Sequence, residues 1–227
     1  MIKWGEENHG HLFYWRTKKL IKEYIDSRPI KAVEIFDYKN KQIKYSSLIK
    51  NADTISVIRG DEEIVRAYFL TRLVNELGYS LNSIEVEREF SSGRPAIQAV
   101  KSRIDVIVHH NDNECFLFVE LKSPHDYHSL NTDKYIEEQL FKVAGMAHYD
   151  NPPMDVKYLV WYTLDIIGDQ IKDECIIIDN KKYANFADWK DERNSTDELP
   201  ANYGISKKTP YIKNLQKILR LIFLNRY

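Results

Sequence analysis

The 227-residue chain has only two cysteines, Cys115 and Cys175, and no CxxC or HExxH pattern. A disulfide framework and a cysteine-rich zinc site are therefore excluded, and a reduced, cytoplasmic setting is expected. No apolar run approaches the roughly 20 residues needed to span a bilayer, so no membrane partner is expected. The opening residues, MIKWGEENHGHLFYW, carry early charges and lack the apolar stretch of a signal peptide. Neither sign of charge dominates: 33 Lys and Arg stand against 34 Asp and Glu. That excludes a globally basic coat for nucleic acid and leaves a local basic patch open. None of the eight glycines sits in a G-x-x-x-x-G-K-[ST] loop, so no ATP site is expected in this chain. G-x-G-x-x-G and G-x-S-x-G are also missing, which removes dinucleotide binding and α/β-hydrolase chemistry. What is present is an ordinary globular composition, 43% hydrophobic and 30% charged. A chain of this length buries about 70–75% of its unfolded surface and needs no staples.

Residues 11–27 read as an amphipathic helix with Leu12, Trp15, Leu20, Tyr24 and Ile25 on one stripe, ended by Arg28-Pro29. Residues 31–46 read as a hairpin turning at Lys39-Asn40-Lys41, and 54–58 as a short strand. The stretch 61–79 is a strong helix, with Asp61 as N-cap, Glu62 and Glu63 in the first turn and Gly78 past the end. Strands are expected at 83–90, 103–110, 115–122, 156–163 and 174–180, and a helix at 135–149. After about residue 185 the chain turns polar and reads as a linker, followed by a basic amphipathic helix. The order predicts an α/β fold with a mixed central sheet flanked by helices, preceded by a helix–hairpin extension. The expected units are an extension over 1–57, a core over 58–185, and a linker with the basic helix over 186–227.

Two of these strands, RIDVIV and FLFVELK, hold charge where apolar residues belong. Side chains alternate along a strand, which places Phe116, Phe118, Glu120 and Lys122 on one face. Asp105 lies between Ile104 and Val106 on the preceding strand, and a hairpin would bring it to Glu120 or Lys122 across the ladder. Burying such charges unpaired costs several kcal/mol. Either they neutralise one another as a salt-bridge cluster at a sheet end, or a metal ion does so. Mg²⁺ prefers hard oxygens and keeps waters. Asp105, Glu120 and the carbonyl of Leu121 would make an open platform for it, with Lys122 placed to orient or help deprotonate an attacking water. Spacing alone leaves both readings open.

The same residues carry a resemblance. RIDVIV…FLFVELKSP resembles the core of the PD-(D/E)xK nuclease superfamily, with Ile104 standing where the proline of the superfamily's name would be. The wider series DEEIVRAYFLTRLVNELGY, SIEVEREF, KSRIDVIV, FVELKSP, EEQLFKVA resembles the N-terminal nuclease domain of the type I restriction enzyme R (HsdR) subunit, over roughly residues 58–165. The resemblance implies a restriction-endonuclease-like fold and Mg²⁺-dependent hydrolysis of double-stranded DNA, with Mn²⁺ as a substitute. It assigns Asp105 and Glu120 as metal ligands and Lys122 as the catalytic lysine. An acidic residue on the first core helix would complete the site, Glu63 ahead of Glu62. Gln139 matches the glutamine of a Q-x-x-x-Y motif, although Val143 replaces its tyrosine. Methylation and specificity subunits, and a translocase on another domain or chain, are the implied partners. The alternative is a non-catalytic DNA-binding or assembly module that keeps the fold.

Other residues read more plainly. Lys101, Arg103 and Lys142 are candidate phosphate contacts whose default is solvated charge. His109-His110 and His125/His128 flank polar turns and lack zinc-motif spacing. The basic residues Lys207, Lys208, Lys213, Lys217, Arg220 and Arg226 read as the wet face of the final helix.

Overall fold

The computed structural model describes residues 9–92, 100–110, 114–167, 169–183, 185–193, 195–196 and 198–200, with side chains from residue 16 onward except those of 92, 100 and 114. The expected basic helix and residues 93–99 lie outside the described residues.

Helix α1 (His9–Ser27) precedes a small antiparallel pair, β1 (Val33–Asp37) and β2 (Gln42–Tyr45). The strand expected at 54–58 is replaced by a single 3-10 turn, Ala52–Thr54, and one isolated bridge from Val57 to Gln42. Helix α2 (Asp61–Asn75) follows. Its N-cap is Gly60 rather than Asp61, which moves all three acids Asp61, Glu62 and Glu63 into the first turn. There the helix dipole favours them. Gly78 adopts a positive φ of 76° just beyond the helix end, a conformation glycine takes at little cost.

A five-stranded sheet forms the centre, with strands in chain order: β3 (Ile84–Ser92), β4 (Val100–His109), β5 (Glu114–Leu121), β6 (Asp155–Ile167) and β7 (Gln170–Asp179). All neighbours are antiparallel except β5 and β6, which run parallel. The parallel pair needs a crossover, supplied by α3 (Pro124–Ser129) and a continuous helical stretch: α4 (Thr132–Tyr135), a π-helical segment (Ile136–Phe141) and α5 (Lys142–His148). Pro124 does more than stop β5. It sits in the first turn of α3, whose N-cap Ser123 accepts a hydrogen bond from Asp126 N–H.

Two apolar cores cover the two faces. One gathers Val86, Val106, Val119 and Tyr162 with α2 and the N-terminal residues Ile21, Val33 and Ile43. The N-terminal segment is thus packed into the same core as the sheet. The other gathers Ile104, Phe118 and Trp161 with Leu140, Val143 and Trp189. Trp189 belongs to helix α6 (Phe186–Glu192), so the stretch expected as linker opens with a docked helix, capped by the Asn185 side chain. The architecture is therefore a mixed sheet between helical layers, as in restriction-endonuclease-like folds.

Strict alternation fails twice, and both failures matter for the site. A register shift at Val108/His109 lets Phe116 join Leu117 on the same face, so Phe116 does not share a face with Phe118. In β3 and β4 the faces switch between Val86 and Phe90 and between Val106 and Ile104. The switch falls at Glu87, whose φ is 56°, and Asp105, which lies opposite it between the paired positions Val86↔Val106 and Arg88↔Ile104.

Candidate active site

The β4–β5 ladder runs from His109↔Cys115 to Val106↔Val119. Beyond it the Asp105 side chain takes over the role of a backbone carbonyl: its Oδ2 accepts from Leu121 N–H at 2.8 Å. Lys122 N–H donates to Tyr162 O on the other side, at 2.9 Å. Backbone groups alternate along a strand, so the Leu121 N–H and C=O both face the Asp105 side. Glu120 and Lys122 follow with side chains on the Trp161 face. Lys122 Nζ lies 2.5 Å from Glu120 Oε1 and 5.2 Å from the Trp161 ring centroid. Helix α2 aims its acidic first turn here, with Glu62 Oε2 4.0 Å from Lys122 Nζ. The sheet end thus collects Asp105, Glu120, Lys122 and Glu62, of which the first three are buried.

Behind this group stands a buried arginine. Arg66 Nη1 pairs with Glu63 Oε2 at 2.7 Å, and Nη2 with Asp105 Oδ1 at 3.0 Å. Nη2 also contacts Glu87 Oε1. The Tyr45 hydroxyl donates to Glu63 Oε1, and Arg103 Nε lies 2.6 Å from Glu87 Oε2. Five carboxylates (Glu62, Glu63, Glu87, Asp105, Glu120) therefore meet three cations (Arg66, Lys122, Arg103). The surplus of two negative charges shows in the titration behaviour. Burial and the nearby charge of Asp105 push Glu120 well above the carboxylate range despite Lys122. The same two causes push Glu62 up to about 7. Burial also raises Glu87. For Lys122 burial alone would lower the pKa, but the carboxylates of Glu120, Asp105 and Glu62 together outweigh it and the net shift is upward.

Of the residues expected at the site, Asp105, Glu120, Lys122 and the Leu121 backbone converge. Glu63 does not face Lys122. Arg66 and Tyr45 hold its two oxygens, and the neighbouring Glu62 is the helix acid that reaches the cluster. Gln139 lies in the π-helical segment, and among the described residues no hydrogen bond joins it to the cluster. Its Oε1 is buried and unpartnered there, while Val143, four residues on, is fully buried in the apolar core. Lys101 pairs with Glu89 at the surface, and Arg103 pairs with Glu87. Sequence reasoning missed Arg66, Glu87 and Tyr45. Arg66 did leave a signal: Phe69, Leu70 and Leu73, at i+3, i+4 and i+7, mark its position as core-facing. Glu87 left none, since its alternation with Val86 and Arg88 is that of an ordinary solvated strand face.

The donor set fits a hard divalent cation. It offers carboxylates, a backbone carbonyl on the Asp105 side, and uncompensated negative charge. Each Asp105 oxygen has one N–H donor and keeps a second lone pair. Among the described residues no three His, Cys, Asp or Glu side chains close into a ready-made cage. Magnesium does not require one, because it keeps several waters and takes one or two carboxylates. Two clefts elsewhere, about 1090 and 1000 Å³, are lined by Tyr24, Arg72 and Asp173 and by Phe141, His148 and Tyr183. Neither includes a member of the cluster.

Residues 61–161 match the family described as type I restriction enzyme R protein N terminus. The matched stretch runs from the first turn of α2 to the middle of β6 and contains Glu62, Asp105, Glu120 and Lys122. No curated protein matches the chain. Among the described residues no helix is long and apolar enough to cross a membrane.

Proposed function

We propose, taking residues 61–161 as an N-terminal region of the type I restriction enzyme R protein family, that this chain is a Mg²⁺-dependent DNA endonuclease domain. The observation that carries the reading is the convergence of Asp105, Glu120 and Lys122 at one sheet end with negative charge in excess. Asp105, Glu120 and the Leu121 carbonyl would hold the ion, with Glu62 rather than Glu63 as the acid from α2. The bound ion supplies a more acidic attacking water and offsets charge building on phosphorus. Lys122, fixed by Glu120, orients the attacking water and stabilises the extra negative charge on the phosphate oxygens. Attack proceeds in line with the leaving 3′ oxygen. A new P–O bond forms as the water gives up a proton to solvent, the P–O3′ bond breaks, and the departing oxygen takes up a proton from solvent. Target choice would come from methylation and specificity subunits and from a translocase elsewhere. Mn²⁺ would substitute for Mg²⁺.

One observation favours the non-catalytic alternative: the Arg66 guanidinium already rests against Asp105. The two readings separate in a plasmid-nicking assay with Mg²⁺. Asp105→Ala and Lys122→Ala are expected to fall to background while the native chain nicks. Thermal unfolding with and without Mn²⁺ should show an ion-linked shift in the native chain that Asp105→Ala loses. Equal nicking by all three chains, or no Mn²⁺-linked shift, would end the catalytic reading.

A further inference from the structure

Glu87 is anomalous in three independent ways. It is a non-glycine residue in left-handed backbone, φ 56°, in the middle of a nine-residue strand. Such a conformation costs free energy and persists only where surroundings enforce it. It also interrupts the regular alternation of β3 exactly opposite Asp105. Finally, its carboxylate is largely buried, 13% exposed, between two arginines. A turn or bulge required only for the chain path would be served by glycine at lower cost.

What the distortion achieves is visible at one nitrogen. Arg66 Nη2 is shared between two carboxylates: it donates a hydrogen bond to Asp105 Oδ1 and forms an ion pair with Glu87 Oε1. Nη1 is drawn away from Asp105 by Glu63. A guanidinium held from two sides contributes a hydrogen bond that fixes the Asp105 rotamer without giving Asp105 its whole charge. We infer that Glu87 is a positioning residue for the cation site, acting through Arg66 to keep the Asp105 carboxylate oriented and available. This inference rests on the divalent-cation reading of the cluster. With Glu87 neutral, Arg66 has two carboxylates instead of three and falls more fully onto Asp105. The cluster also loses one negative charge. Both effects weaken binding of a dication.

The test is calorimetric titration of the full chain with Mn²⁺, alongside unfolding midpoints, for native protein, Asp105→Ala, Glu87→Gln, Glu87→Asp and Glu87→Gly. Outer partners of metal ligands typically contribute about 10–100-fold in affinity. Glu87→Gln is accordingly expected to weaken Mn²⁺ binding about tenfold or more. Glu87→Asp keeps the charge and tolerates left-handed backbone, so it should recover part of that loss. Glu87→Gly relieves the backbone and should hold or raise the midpoint while still binding Mn²⁺ weakly. A merely structural role would move midpoints and leave affinity alone, so unchanged Mn²⁺ affinity in Glu87→Gln overturns the inference. If that variant does not fold, Glu87→Gly decides in the same way. Native chain and Asp105→Ala binding Mn²⁺ equally poorly would instead remove the cation reading itself, and the role of Glu87 with it.

Discussion

Glu85 and Glu120 are both buried in the sheet, 7% and 5% exposed, yet their surroundings are opposite in character. Glu85, on β3, receives a hydrogen bond from Asn51 Nδ2 at 3.0 Å and another from His109 Nε2 at 2.7 Å. Arg88 adds an ion pair at 3.4 Å and is itself tied to Asp150. Burial would raise the Glu85 pKa, but the His109 hydrogen bond and the Arg88 charge outweigh it and the carboxyl ends below its usual range. Glu120 has one ammonium partner, Lys122, and two carboxylates, Asp105 and Glu62, acting against it. Burial is common to both and does not distinguish them. The distinguishing quantity is whether donors match acceptors. The satisfied cluster is a structural tie between the 3-10 turn region and the sheet. The unsatisfied one stores negative charge that only a proton or a cation relieves.

Swapping the charge at each position should break this symmetry with the largest effect. Glu85→Ala removes the carboxylate that a part-buried imidazole and the Asn51 amide share and leaves Arg88 only Asp150, and is expected to destabilise the fold by about 2–4 kcal/mol. Glu120→Gln removes a net unfavourable charge while keeping an acceptor for Lys122. Above neutral pH without divalent ions, its unfolding midpoint should equal or exceed that of the native chain. Denaturant melts of the two variants check this. A large loss of stability in Glu120→Gln would make its cluster a structural tie like the other.

A smaller effect separates the clusters by pH. Glu85 has a depressed folded-state pKa, so its contribution is present above its unfolded value near 4.5 and is lost as pH falls through the folded value. Glu62 is raised to about 7, so its contribution is full below 4.5 and is lost as pH rises through about 7. Glu120 adds to the second trend in the same direction. Stability measured without divalent ions should therefore decline from pH 5 to pH 8, and Glu62→Gln should flatten that decline. Mg²⁺ binds the deprotonated carboxylates, so its stabilising effect should grow over the same interval. Thermal melts across pH, with and without Mg²⁺, read both. A flat profile for the native chain would remove the contrast.

The contrast was only half legible in the sequence. Asp105, Glu120 and Lys122 stood out because each interrupts an apolar strand, and charge inside an apolar run is visible without coordinates. Helix α2 and the five strands were readable from periodicity, since the sheet is covered on both faces. The choice between Glu62 and Glu63 was not, because it depends on which flank of one helical turn meets Arg66. Helix α6 was hidden by its polar letters: of Phe186–Glu192, the deeply buried side chain is Trp189. The Glu85 network escaped because it is assembled from residues 51, 85, 88, 109 and 150, far apart in the chain. No local pattern joins residues that meet only through the fold.

The finest adjustment is Asn51→Gly. Asn51 has φ 61°, and glycine would adopt that backbone with less cost, so the usual objection to a truncation at this position is reversed. What remains is the loss of one hydrogen bond to an ionised, buried Glu85. Such bonds contribute about 1.5–3 kcal/mol, and because asparagine itself tolerates left-handed backbone, the relief offsets only a small part of it. A net destabilisation of about 1–2 kcal/mol is expected. Since the amide donates a hydrogen bond to the Glu85 carboxylate, its loss should also shift the acid limb of the stability profile to higher pH while the alkaline limb, governed by Glu62 and Glu120, stays in place. Movement of only one limb would show that the two clusters titrate independently although both border the β3–β4 pair. Movement of both would mean that β3 transmits charge between Glu85 and Glu87, and the two clusters would then have to be treated as one.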